Sequence, residues 1–198
     1  MKKLWRVLAI ASITLITSCA SVAPTTETYT GYRIYHVSND YTLTQVRNAV
    51  VDAAKELNNN AQVVSGIPPH PMPEKPGRFK IKDMAFGPVS MQFPQTPGAT
   101  VSVRSGNDNS ARGTSMNWVA GIYLYKDGYS VQLVMTARHE RGASNIFDPA
   151  ALGAALARAT LDSQDGGIEG NSKKWFDIFA DEIGKKLKME LEEAYPQG

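Results

Sequence analysis

The stretch that decides the fold is "NWVAGIYLYKDGYSVQLVMTARH", residues 117–139. Apolar residues alternate with other residues on both sides of Asp127-Gly128, which indicates two β-strands with one buried face each. Asp-Gly is typical of a type I′ hairpin turn, so the two strands are expected to be antiparallel neighbours. A two-residue turn at this position pairs the following residues, of which the last four pairs are expected to face the core: Lys126–Tyr129, Leu124–Val131, Ile122–Leu133, Ala120–Met135 and Trp118–Ala137.

The opposite face of this hairpin carries candidate functional residues, because Tyr123, Tyr125, Gln132, Thr136 and Arg138 point that way. Tyrosine is enriched at protein interfaces, so Tyr123 and Tyr125 are candidate contacts with a partner. Packing beneath the alanine-rich helix expected from Pro149 onward is the alternative for both.

The end of the second strand is the nearest approach to a reactive cluster. Its residues are Arg138, His139, Glu140 and Arg141. They are candidates for binding an anionic ligand at a sheet edge, and a polar strand end with local salt bridges is the alternative reading.

The segments before the hairpin predict a strand, a long helix and several short strands. "GYRIYHV" at 31–37 favours a strand, and Thr42 with Gln45 matches a capping box at the start of a helix that runs to about Leu57. Short strands are expected at 61–66, 78–84 and 99–105. The proline-rich stretch 67–77 indicates an extended surface loop, with a ligand for another protein as the alternative. Residues 87–98 and 106–113 are predicted to be irregular.

The segments after the hairpin predict two helices. Pro149 fits the first turn of an alanine-rich helix, and 162–170 reads as a connector. A last helix is expected from Asn171 or Ser172 to about Tyr195, with an apolar stripe of Phe176, Phe179, Ala180, Ile183, Leu187 and Leu191. The expected fold class is therefore α+β, an antiparallel β-sheet with a long first helix and two C-terminal helices packed on it.

The N-terminus has the pattern of an export signal. Lys2, Lys3 and Arg6 precede an uncharged apolar run from Val7 to Ile16. This run is too short to span a bilayer, which needs about 20 apolar residues, and it fits the apolar region of a signal peptide.

The end of this segment, Ile16-Thr17-Ser18-Cys19, resembles the lipobox of bacterial lipoproteins, although Thr17 departs from the commoner Ala or Ser. The resemblance covers only about the first twenty residues. It implies cleavage before Cys19, attachment of diacylglycerol to its sulfur and acylation of the new N-terminus. Ala20 after the cysteine then implies the outer membrane, with the domain facing the periplasm. A signal peptide cleaved beyond an unmodified Cys19 is the alternative.

These features divide the chain into a signal peptide at 1–18, a lipidated cysteine and flexible tether at 19–30, and a single α+β domain at 31–198.

Three of the 21 basic residues lie in the leader, which leaves 18 basic against 19 acidic residues in the rest of the chain. A nucleic-acid partner is therefore not expected, since such domains carry a basic patch. Cys19 is the only cysteine, so neither a disulfide within the chain nor a cysteine zinc site is possible.

The sequence holds no catalytic motif, and no cofactor or metal is predicted. His36, His70 and His139 fall in separate segments, and no HExxH, GxSxG or P-loop pattern is present.

The expected function is that of a lipid-anchored envelope protein acting as a non-enzymatic accessory or binding subunit, whose partners are the membrane and another envelope protein. A membrane-tethered hydrolase of the cell wall is the alternative, because a spatial carboxylate pair is invisible in sequence. A ligand carrier with an apolar cavity is a third possibility.

Overall fold

The computed structural model describes residues 25–58, 60–86, 89–109, 114–141 and 167–196. The predicted signal peptide, Cys19 and the predicted helix that begins at Pro149 lie outside these residues.

The described chain forms eight strands and two helices. Six strands make one antiparallel sheet in the order β2-β5-β6-β7-β1-β8, and β3 and β4 make a separate two-stranded antiparallel sheet. The elements are, in chain order, β1 (Thr25–Ser38), α1 (Leu43–Leu57), β2 (Gln62–Ser65), β3 (Lys80–Phe86), β4 (Val89–Gln95), β5 (Val101–Asn109), β6 (Thr114–Tyr125), β7 (Gly128–Arg141), α2 (Gly167–Gly184) and β8 (Glu190–Tyr195).

Both helices pack on the same face of the six-stranded sheet, where they form the main core. The predicted capping box is present at the start of α1, where Thr42 and Gln45 bind each other's backbone. Ring contacts hold α2 on the sheet, since Phe179 meets Trp118 edge-on with ring centroids 5.7 Å apart. The predicted hairpin face is confirmed here, because most of its residues are buried in this core and Leu124 packs against it partly buried. The buried residues are Trp118, Ala120, Ile122, Val131, Leu133 and Met135.

The other face of the sheet is also covered, by the two-stranded sheet and the proline-rich loop. Gln132 accepts a hydrogen bond from the backbone of Phe79 (2.9 Å) and donates one to the Gly77 carbonyl (2.8 Å). Thr136 donates to the backbone carbonyl of Gln92 (2.7 Å). The domain therefore has three layers along part of the sheet, with helices on one side and a small sheet on the other.

The hairpin register differs from the predicted one by two residues. Leu124 lies opposite Tyr129, and the turn consists of Lys126 and Asp127 rather than of Asp127 and Gly128. Neither Lys126 nor Asp127 has a positive φ, so the predicted type I′ turn is wrong. Gly128 has φ +139° and belongs to the start of β7, where a Cβ would lie 2.3 Å from the Val37 carbonyl of β1.

The number and length of the helices also require correction. The last helix ends at Gly184 instead of Tyr195, and residues 190–195 form β8 against β1. The described residues therefore hold one C-terminal helix, where two were predicted for the whole chain. The strand β1 begins at Thr25, so residues 25–30 of the predicted tether are part of the sheet.

The segment 87–98 was predicted to be irregular, yet most of it forms β4. Pro94 is accommodated because β4 pairs with β3 alone among the described strands, which leaves its other side without a ladder to interrupt.

Candidate functional site

The predicted cluster Arg138, His139, Glu140 and Arg141 lies at the end of β7, between the first residues of β1 and β6. His139 is opposite Glu27 on one side and Thr114 on the other, and Arg141 is opposite Thr25. Of the four side chains, the structure describes that of Arg138. It lines a crevice of about 20 Å³ with Thr28, Gln92 and Thr136, which has room for about one water molecule.

The predicted partner contacts Tyr123 and Tyr125 are both buried. Tyr123 lies between Gly77 of the proline-rich loop and Gly121, and burial raises the pKa of its phenol. The Tyr125 hydroxyl is within 2.8 Å of the His36 Nδ1 atom. The face that carries both tyrosines is thus covered by the chain's own loop instead of being open to a partner.

The described ranges contain no candidate metal site, because no three His, Cys, Asp or Glu side chains there are close enough together to bind one ion. His36 lies on β1, and His70 lies in the proline-rich loop.

A concavity of the described chain lies between the two sheets, and we call it the hairpin groove after the β3–β4 pair that forms one wall. Its volume is about 440 Å³. Its lining comes from the β2–β5–β6 side of the large sheet and from the two-stranded sheet, and consists of Asn60, Gln62, Met84, Phe93, Pro94, Gln95, Arg104, Ser105, Asn117 and Trp118.

Strand alternation explains the polar side of the hairpin groove. Val101 and Val103 of β5 are buried beneath the helices. Their alternating neighbours Ser102 and Arg104 therefore point to the opposite face of the sheet. Register then brings Arg104 opposite Gln62 of β2. The wall comes from β3 and β4, where Met84 is 39% exposed.

The described lining of the hairpin groove carries a net positive charge. Arg104 is its one charged residue among the described lining side chains. The side chain of Arg104 makes neither a hydrogen bond nor an ion pair with any part of the chain that the structure describes. An exposed guanidinium of this kind is available to bind a carboxylate or phosphate in bidentate fashion.

Sequence reasoning missed this groove. The strand at 99–105 was predicted, and its alternation alone places Arg104 away from the core. The wall residues Phe93, Pro94 and Gln95 were not assignable, because their segment has no clear period and contains prolines.

A second polar cluster lies at the opposite edge of the large sheet, where β8 ends. Glu193 accepts hydrogen bonds from both guanidinium nitrogens of Arg78 (2.7 and 2.8 Å) and from the Tyr32 hydroxyl (2.5 Å). The Arg78 and Tyr32 donors lower the pKa of the Glu193 carboxyl to about 2. Because every charge in this cluster is paired, the cluster fastens the loop at Arg78 to β8.

Within the described ranges, neither α1 nor α2 combines the length and apolar character needed to cross a bilayer.

Neither the known protein-family models nor the curated proteins include a match to this chain.

Proposed function

We propose that this protein is a lipid-anchored envelope protein that binds another envelope protein as a non-enzymatic accessory subunit. The anchor is Cys19, at the end of the lipobox-like stretch, and the location is the periplasmic face of the outer membrane. The domain beyond the anchor supplies the binding surface.

The observation that carries the binding role is the composition of the hairpin groove. Amide side chains, an unpaired guanidinium and a partly apolar wall line it, and such a mixture suits recognition by shape and a few polar contacts. Acid–base chemistry would call for carboxylates or imidazoles at the reacting centre, and the described lining consists of other groups. These features favour binding over the cell-wall hydrolase alternative.

The proposal is tested by photo-crosslinking in intact cells. A photoreactive residue at Gln95, an exposed position in the hairpin groove, is expected to capture one protein partner as its main adduct. The matched control is the same residue at Thr44, which is exposed on α1 on the opposite side of the sheet.

Three results contradict the proposal. Equal adducts from Gln95 and Thr44, or none from either, would show that the hairpin groove does not hold a partner. Turnover of purified cell-wall fragments by the isolated protein would support the hydrolase instead.

A further inference from the structure

The ligand class of the hairpin groove follows from two features that lie side by side, the unpaired Arg104 and the outer edge of β2. This inference rests on the proposed binding function and specifies the chemistry of the partner.

The first feature is the positive charge of the hairpin groove. Arg104 is exposed and lies on the face opposite the helices, next to Gln62. The described lining includes neither Asp nor Glu, so a ligand carboxylate would meet attraction without competition from the protein's own acids. Amide groups of Gln62, Gln95 and Asn117 can donate to and accept from a peptide backbone or its side chains.

The second feature is the backbone of β2. The Gly66 N–H donates to the Thr100 carbonyl (2.8 Å), which continues the β2–β5 register by one residue. In an antiparallel ladder every second residue bonds to the same neighbour, so Gln62 and Val64 bond to β5. Val63 and Ser65 therefore direct their N–H and C=O groups away from β5, along the outer edge.

This edge is open as far as the described residues extend, since β2 pairs there with β5 alone. Gln62, Val64 and Ser65 are exposed. An edge with unpaired N–H and C=O groups is a template for an added strand, and a polypeptide is the ligand class that can use it.

The two features meet in one geometry. A strand added to β2 would lie about 4.8 Å from it, and its alternate side chains would project over the same face as Gln62, Val64 and Arg104. The added strand would lie two strand spacings, about 9.6 Å, from the β5 backbone, so an acidic side chain on it meets the long Arg104 side chain across Gln62. An apolar side chain on it contacts Val64, which is 46% exposed. We infer that the hairpin groove binds an extended acidic segment of a partner protein by strand addition to β2.

The test uses the full-length lipidated protein in detergent micelles and two blocked hexapeptides, measured by calorimetry. In one peptide glutamate alternates with valine, and in the other glutamine replaces glutamate. The glutamate peptide is expected to bind about two- to fivefold more tightly, because an ion pair with an exposed guanidinium contributes less than one tenfold step in affinity. Arg104→Gln should abolish that difference, whereas the control Arg47→Gln on α1 should preserve it.

A second variant tests whether the peptide binds by strand addition. Ser65→Pro removes an outward-facing N–H and leaves the ladder to β5 intact, so it should weaken both peptides. A circular dichroism spectrum and melting curve like those of the unchanged protein establish that this variant is folded.

Three outcomes overturn the inference: equal binding of the two peptides by the unchanged protein, binding of neither peptide, or full binding by Ser65→Pro. A partner crosslinked at Gln95 together with any of these outcomes would retain the proposed function and reject only the acidic-strand ligand.

Discussion

At the residue scale, Gln132 shows how a polar side chain of a predicted outward face becomes structural. Its amide is buried and bridges β7 to Gly77 and Phe79 of the loop that covers the sheet. Alternation correctly predicted the direction of this side chain. Its burial was not predictable, because the covering loop has no period that would place it against the sheet.

Replacing Gln132 with leucine should lower the free energy of unfolding by about 1–3 kcal/mol, because the substitution leaves the Phe79 N–H and the Gly77 carbonyl unpaired. Urea unfolding followed by circular dichroism measures the change. Gln95→Leu, at an exposed position, is the control and should stay within about 0.5 kcal/mol of the unchanged protein. Equal midpoints for the two variants would contradict the role assigned to Gln132.

The Glu193 carboxyl predicts how the folding stability depends on pH. Its pKa is lowered to about 2 by hydrogen bonds from Arg78 and then Tyr32, so folding favours the ionised form. Its stabilising contribution is therefore complete above the unfolded pKa of about 4.3 and is lost as the pH falls toward 2. The contribution should stay below about 1 kcal/mol, because the Arg78 and Glu193 side chains are 53% and 41% exposed.

An NMR titration of the Glu193 side-chain carbon checks this prediction. Arg78→Gln should raise the pKa of Glu193 toward its usual value, whereas Arg47→Gln should not change it. An unchanged titration in Arg78→Gln would mean that the guanidinium does not set this pKa.

At the element scale, the central hairpin marks the limit of pattern reasoning. Alternation determines which residues share a face, and a shift of two residues preserves every face. The predicted core residues were thus correct while the register was wrong. The register depends on Gly128, which is required where Val37 of the neighbouring strand approaches closely, and no local pattern reveals that contact.

The C-terminal elements show a tertiary contact overriding a helical pattern. The predicted apolar stripe is confirmed within α2, where Phe176, Phe179 and Ile183 are buried. Leu187 is buried just beyond the end of α2, and Leu191, which was predicted to continue the stripe, lies in β8 and is 52% exposed. Beyond Gly184 the chain instead pairs with β1, and Arg33 donates to the Tyr195 carbonyl (3.1 Å). The availability of β1 as a partner is a long-range property that helical periodicity does not contain.

The packing of the segment after β4 against β6 can be tested at Gly121. A Cβ there would lie 2.6 Å from the Thr96 Cγ2 atom and 3.0 Å from the Tyr123 Cε2 atom. Gly121→Ala should therefore cost about 1–3 kcal/mol of folding stability through overpacking. Gly184→Ala is the control, because nothing lies within 4 Å of its added Cβ. A thermal melt in which both variants match the unchanged protein would contradict the close packing around Gly121.

At the scale of the whole molecule, the fold class was predictable and the third layer was not. The order of strands and helices indicated an antiparallel sheet with helices on one face, and the described chain has that arrangement. The two-stranded sheet on the other face arises from residues 80–95, whose prolines and short strands conceal its pairing. The hairpin groove exists between that small sheet and the β2 side of the large one, so the site was missed together with the layer.

The position of the domain relative to the membrane follows from the proposed anchor. Thr25, the first residue of β1, lies six positions after Cys19, a span of at most about 21 Å. With this anchor, we expect the end of the sheet where Thr25 pairs with Arg141 to lie nearest the bilayer.

Cys19→Ala should release the protein from the membrane fraction or leave it as an uncleaved precursor. Thr17→Ala, which keeps the lipobox-like pattern, should behave as the unchanged protein. Membrane fractionation and the mass of the mature chain measure both effects, and an unchanged result for Cys19→Ala would refute lipidation.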